Sequence, residues 1–275
     1  MPNQPTLNPV LMSKFVLWVA TIVVATLLLR RRQMTSRRRL AFLIGGALLF
    51  GVVYGLLARS DVNPSPPFSL RNVLTALLVR GQTPTLILGM LAALLLMVWV
   101  SNKSICGWGC QFGLLQDAMH HILPGRRRGK RRWKPPFWLS NSVRILAFVG
   151  LIIGLLTAKT DWISRVDPFQ IFFGQVTPLI LGFTGLLLLA SLFVYRPWCQ
   201  FLCPFGLVSW VVEQFSLLRP RVNRTTCKEC QLCVKACPTH AMADFYAGKK
   251  IHADCFACGA CIDACPQPDA LNWER

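Results

Sequence analysis

Eight of the chain's 12 cysteines lie between Cys227 and Cys265, as two copies of C-x2-C-x2-C-x3-C-P. No other feature restricts the fold as much, because three thiolates in a tight loop and a fourth at a helix start can enclose an iron–sulfur cubane. By that pattern Cys227, Cys230, Cys233 and the distant Cys265 hold one [4Fe–4S] cluster, while Cys255, Cys258, Cys261 and Cys237 hold the other. Pro238 and Pro266 end each run, where a fixed φ turns the chain away and removes a backbone donor. Structural zinc usually shows two C-x2-C pairs a dozen or more residues apart, and disulfide frameworks belong to small secreted scaffolds. Neither fits, and the chemistry implied is one-electron transfer.

The 53% of hydrophobic residues would suit a large soluble core, but the 15% that are charged fall almost entirely between long apolar runs. That distribution predicts a multi-span membrane protein with a polar tail. The net charge of +19 raises nucleic acid as a partner. Its arginines, however, flank the apolar runs as the positive-inside rule expects, with no aromatic-interleaved basic face. Membrane lipid is the predicted partner and nucleic acid is not.

The first apolar run, Val10 to Leu29, is followed and not preceded by Arg30, Arg31 and Arg32, so it reads as a span and not as a signal peptide. Its C-terminal end is expected in the cytoplasm and the N-terminus outside. Leu40 to Ala58, Pro84 to Val100, Val143 to Ala158 and Pro178 to Tyr195 complete five expected spans. The outer loop Arg59 to Thr83 is predicted to be irregular at Pro64, Pro66 and Pro67, with a surface helix over Leu70 to Val79. The basic stretch from Leu123 to Lys134 is a cytoplasmic topology anchor. The expected fold is mostly α, with an extra N-terminal helix and basic loop (1–39), a four-helix membrane domain (40–218) and a small α+β two-cluster ferredoxin-like domain (219–275).

An internal repeat organises the membrane part. L-A-F recurs at Leu40 and Leu146, and each copy returns through an outer loop to C-x3-C-x-F-G-L, at Cys106 to Leu114 and Cys199 to Leu207. Two like-oriented hairpins predict a parallel repeat with both C-x3-C pairs at one depth on the cytoplasmic side. Together Cys106, Cys110, Cys199 and Cys203 supply four thiols, expected to act either as a further metal site or as redox dithiols. The competing role is small-residue packing beside Gly107 and Gly109.

With C-x3-C, C-x3-C-P and the doubled tail motif in this order, the chain from Leu40 onward resembles the NapH family of membrane quinol dehydrogenase subunits. It is also similar to the C-terminal part of NosR and to accessory proteins of methylamine dehydrogenase and cytochrome oxidase assembly. The resemblance implies electron flow between quinol, the cytoplasmic clusters and a periplasmic reductase or its electron-transfer subunits, in a bacterial inner membrane. A cytoplasmic ferredoxin-type protein is a further implied partner. The alternative is a redox-active maturation factor for a periplasmic or membrane metalloenzyme. The chain departs from the pattern at Gln111, where proline is usual, and by its extra N-terminal span.

Quinol oxidation releases protons, so a quinone site wants an acid or imidazole near the membrane boundary. Asp117, His120 and His121 follow the first C-x3-C pair at spacings of three and four, which makes them neighbours on a helix. Asp161, Trp162, Asp167 and Pro168 in the second outer loop are the alternative. His240 and His252 are expected to be solvated tail histidines. Met242 and Phe256 are expected to shield cluster sulfur from water.

Overall fold

The computed structural model describes residues 9–57, 65–122 and 133–275. Residues 1–8, residues 58–64 with Pro64, and residues 123–132 of the basic stretch lie outside the described residues.

Helix α1, Pro9–Arg30, buries a single stripe (Leu11, Lys14, Trp18, Ile22, Ala25 and Leu29) at helical spacing. Val16, Val19, Val23 and Leu27 on its other face stay exposed, as lipid-facing residues do. Helix α2, Ser36–Leu57, is capped by the Thr35 hydroxyl, and its second half, Ala47–Leu57, is wound as a π-helix. Helix α3, Pro66–Leu78, starts earlier than expected: Pro66 and Pro67 occupy its first turn, where a missing N–H costs nothing. It is also no surface helix, since Leu70, Arg71, Val73 and Ala76 are buried and it packs on its neighbours.

Helix α4, Thr85–Ser101, ends at Asn102, whose φ of 50° breaks the helix before a π-turn at Ile105–Gly109. Helix α5, Gln111–Ile122, follows directly. The second copy repeats this order. Helix α6 is Phe137–Thr157, two short 3₁₀ turns cover Trp162–Arg165 and Pro168–Phe173, and helix α7 is Pro178–Ser191. Arg196, with φ of 47°, then breaks the chain before α8, Pro197–Phe201, and α9, Pro204–Glu213. The copies interlock: α5 packs on α2 and across on α7, while α9 packs on α6 and across on α4.

Each of the five expected spans is helical. Three helices (α1, α2 and α6) are long and apolar enough to cross a membrane. The 17 residues of α4 reach about 26 Å at 1.5 Å per residue, and the 14 of α7 reach less, because each ends where its C-x3-C turn begins.

The tail is the small α+β part. Strand β1, Arg219–Val222, pairs antiparallel with β2, Leu271–Glu274, placing Val222 opposite Leu271 and Arg219 opposite Glu274. Short helices α10, Leu232–Ala236, α11, Ala241–Tyr246, and α12, Ala260–Asp263, lie between them.

Candidate iron–sulfur and thiol site

Pairing of β1 with β2 draws the two ends of the tail together, so Cys265 meets the loop that begins at Cys227. Cys227, Cys230, Cys233 and Cys265 line one cavity, while Cys237, Cys255, Cys258 and Cys261 line a second. The two loops share one unusual backbone pattern. Glu229 and Gln231 flank Cys230 with φ of 55° and 54°, and Ala257 and Gly259 flank Cys258 with φ of 50° and 75°. Left-handed residues on both sides of a cysteine curl the chain around a centre and turn peptide N–H groups inward, an anion-binding concavity. All eight thiols are free of disulfides. Donor set and loop shape therefore fit two [4Fe–4S] clusters.

Met242 and Phe256 are buried in the wall of the second cavity, while Cys230 at the first is exposed. His240 is half-buried, and His252 is fully buried, contrary to its expected solvation. Its Nδ1 faces the Ala253 carbonyl at 3.0 Å and Glu213 at 3.4 Å, and burial lowers its pKa from the ordinary imidazole value.

The four C-x3-C cysteines sit in one buried apolar cluster, together with Phe256 from the tail. Cys106, Cys110, Cys199 and Cys203 lie within electrostatic reach of one another, as a parallel repeat requires. Gln111 opens α5 as Pro204 opens α9, so the missing proline leaves the chain direction unchanged. Its side-chain oxygen accepts from Lys14 of α1 at 3.3 Å. Among the described residues no three His, Cys, Asp or Glu side chains are gathered closely enough for one metal ion. That holds for the tail sets too, whose ligands must span a cluster.

The first C-x3-C turn is docked directly on the tail's second loop. Trp108 Nε1 donates to the Ala257 carbonyl at 3.0 Å, and the Lys103 amide to the Cys255 carbonyl at 3.4 Å. At Gly107 a Cβ would lie 2.2 Å from the Phe256 carbonyl oxygen, so only glycine allows this approach. Phe256 thus lines the second tail cavity and also belongs to the buried cluster that holds the thiol quartet. Lys103 Nζ lies 5.5 Å and the Arg196 guanidinium 5.2 Å from the Phe256 ring centroid, with the Tyr195 ring at 5.7 Å.

Buried ions surround this junction. Lys103 pairs with Asp254 and, at 3.4 Å, with Glu213; Arg144 pairs with Asp254 at 3.1 Å and donates to the Cys199 carbonyl at 3.3 Å. Burial alone would raise the Asp254 carboxyl, but Arg144 and then Lys103 pull it below the usual range. On the other side Asp117 takes Arg39, Arg196 at 2.6 Å and the Tyr195 hydroxyl at 2.8 Å. Arg196 also donates to the carbonyls of Cys106 and Gly107, and Arg39 to that of Cys258. Lys103 and Arg144 thus face Asp254 and Glu213 on one side of the junction, and Arg39 and Arg196 face Asp117 on the other, as buried charges require partners.

These cations escaped the sequence reading, although one signal was present. Lys103 and Arg196 each precede the first cysteine of a C-x3-C pair by three residues, the same place in both copies.

His120, His121 and Arg39 line a cavity with Thr35, Ser36 and the Cys258–Ala260 loop. Asp117 lies behind it, 3.2 Å from His121 Nδ1. Asp161 and Asp167 are instead drawn to the buried Arg71 of α3, and each caps a 3₁₀ turn. That use is structural.

A family profile described as a 4Fe-4S dicluster domain matches residues 226–271, and one described as a 4Fe-4S binding domain matches 82–132 and 176–224. The second profile takes in one C-x3-C pair in each match. The YccM protein of Escherichia coli K12, named for electron transport, is 27% identical over 71% of this chain and 58% of its own length. The regulatory protein NosR of Pseudomonas aeruginosa is 27% identical over 61% of this chain and 24% of its own. The methylamine utilization ferredoxin-type protein MauN of Paracoccus denitrificans is 30% identical over 50% of this chain and 49% of its own. The chain therefore spans only part of the length of each of these relatives. No solved structure matches it. Two dicluster-type cysteine sets, a duplicated C-x3-C half and these likenesses together support a NapH- and NosR-like 4Fe-4S family.

Proposed function

We propose that the chain relays electrons between the membrane quinol pool and a periplasmic reductase system, as the quinol dehydrogenase component of a larger complex. Bound [4Fe–4S] clusters would supply one-electron transfer at potentials tuned by charge, hydrogen bonding and exposure. Cys227, Cys230, Cys233 and Cys265 hold the cluster nearer solvent, open to a soluble partner at Cys230. Cys237, Cys255, Cys258 and Cys261 hold the inner one. Cys106, Cys110, Cys199 and Cys203 form the next station, as ligands of a further metal centre or as dithiols. The match of a 4Fe-4S binding profile to both halves supports the metal form. The observation that carries the relay is the docking of the Cys255–Cys258 loop on the first C-x3-C turn, with Phe256 packed in the cluster that holds the four C-x3-C thiols.

His120 and His121 beside the Cys258 loop accept the protons of a quinol headgroup, and Asp117 positions His121. In this reading the tail is cytoplasmic and the N-terminus outside, which the arginines behind α1 support. In anaerobic membranes a quinol analogue should reduce the clusters by EPR, and Cys106→Ser with Cys199→Ser should block onward transfer. Unchanged transfer and metal content in that pair would end the quartet's role. The convergence of four buried thiols also favours a second reading, a maturation factor that reduces metal or thiol in a client enzyme. That reading predicts no turnover with quinol and a client lacking its cofactor.

A further inference from the structure

Arg32 lies in the turn joining α1 to α2, outside the residues that either family profile matches. Its φ of 54° is left-handed, a conformation that L-residues avoid and that glycine takes freely. An arginine at such a position is explained by its side chain. Nη2 donates to the Cys265 carbonyl at 3.0 Å, and Nη1 to the Leu271 carbonyl at 2.9 Å and to that of Pro268. The turn itself is seated on the tail: Leu29 and Met34 pack on Gly259, and the Ser36 hydroxyl donates to Asp263 at 2.8 Å.

Each tail cavity has an arginine at its edge. Arg39, which reaches the Cys258 carbonyl at the second cavity, shares Asp117 with Arg196. Arg32, at the first, makes no ion pair among the described residues. A cluster gains negative charge on reduction, and a nearby uncompensated cation favours that state.

We propose that Arg32 is the positioning residue that sets the potential of the cluster held by Cys227, Cys230, Cys233 and Cys265, raising it above the value a neutral side chain would give. This rests on the ligand assignment proposed above. The test is an EPR-monitored titration of the loaded, full-length protein, with dithionite supplying the electrons anaerobically. Arg32→Gln should shift one midpoint down by a factor of ten in the oxidised-to-reduced equilibrium, about 59 mV for one electron, and leave the other in place. Arg32→Lys keeps the charge and should hold the wild-type midpoint within a factor of two. Unmoved midpoints in Arg32→Gln, both midpoints moving together, or equal shifts in the two variants would overturn the proposal. Should Arg32→Gln fail to retain iron, Arg32→Lys decides alone: a held midpoint supports the proposal and a tenfold fall overturns it. Wild-type protein without two clusters' worth of iron and sulfide would refute the ligand assignment. Two clusters with unmoved midpoints would refute only the role of Arg32.

Discussion

Replacing Gly107 with alanine should detach the tail's second loop from the first C-x3-C turn. The new Cβ would stand 2.2 Å from the Phe256 carbonyl oxygen and 3.3 Å from its carbon, both backbone atoms that cannot rotate away. Restoring an acceptable contact of 3.0 Å means a shift of about 0.8 Å between two packed surfaces. Overpacking of that kind costs about 1–3 kcal/mol. The same shift weakens the Trp108 and Lys103 hydrogen bonds to the loop, each worth about 0.5–1.5 kcal/mol. Alanine returns up to about 1 kcal/mol of backbone preference, leaving about 2–4 kcal/mol against docking. Amide hydrogen exchange in the loop reads this directly: opening should become about 30-fold to 1,000-fold more frequent, at 1.4 kcal/mol per tenfold. Gly89→Ala is the control, because nothing lies within 4 Å of its Cβ. Loop exchange within threefold of wild type in Gly107→Ala would refute the close approach, and with it the adjacency of the two sulfur groups.

Lys103→Met leaves Asp254 and Glu213 buried with one cation fewer, and should destabilise the fold by about 3–5 kcal/mol; denaturant unfolding measures it. Arg71→Met should cost a similar amount at the outer end, where Asp161 and Asp167 lose their shared partner, without moving either tail-cluster midpoint. Below the ordinary imidazole pKa of about 6.5, the unfolded chain takes up a proton at His252 that the folded tail excludes. Tail stability should therefore fall as pH drops below that value, and His252→Gln should flatten the fall in pH-dependent unfolding. Chelation that strips iron should loosen both tail loops, since Glu229 and Gln231 around Cys230 and Ala257 before Cys258 are held against their preference; limited proteolysis before and after reports this.

Hydropathy and cysteine spacing made much of this architecture legible. Apolar runs bounded by arginine mark α1, α2 and α6, and the doubled motif assigns its cysteines to two sets because each loop follows from local spacing; the pairing of β1 with β2, which closes the tail, was not legible. The repeat was legible from spacing as well, since L-A-F and C-x3-C-x-F-G-L recur in order. What pattern could not show is contact across the chain. Pro66 and Pro67 signalled irregular backbone, yet proline is equally at home in a first helical turn, and only burial of α3 decides between them. The cations Arg39, Lys103, Arg144 and Arg196 read as ordinary basic residues near span ends; their burial depends on carboxylates from distant elements. His252 looked solvated because its cover, the α9 residues Trp210 and Glu213 with the following Gln214, is about forty residues away in sequence.

Iron and acid-labile sulfide, counted in strictly anaerobic preparations and followed by EPR, address the central claim most directly. Two cubanes in the tail require at least eight irons and eight sulfides per chain, with about four of each lost on Cys-to-Ser change at Cys233 and about four on the same change at Cys261. A chain that folds fully while carrying neither would contradict the account.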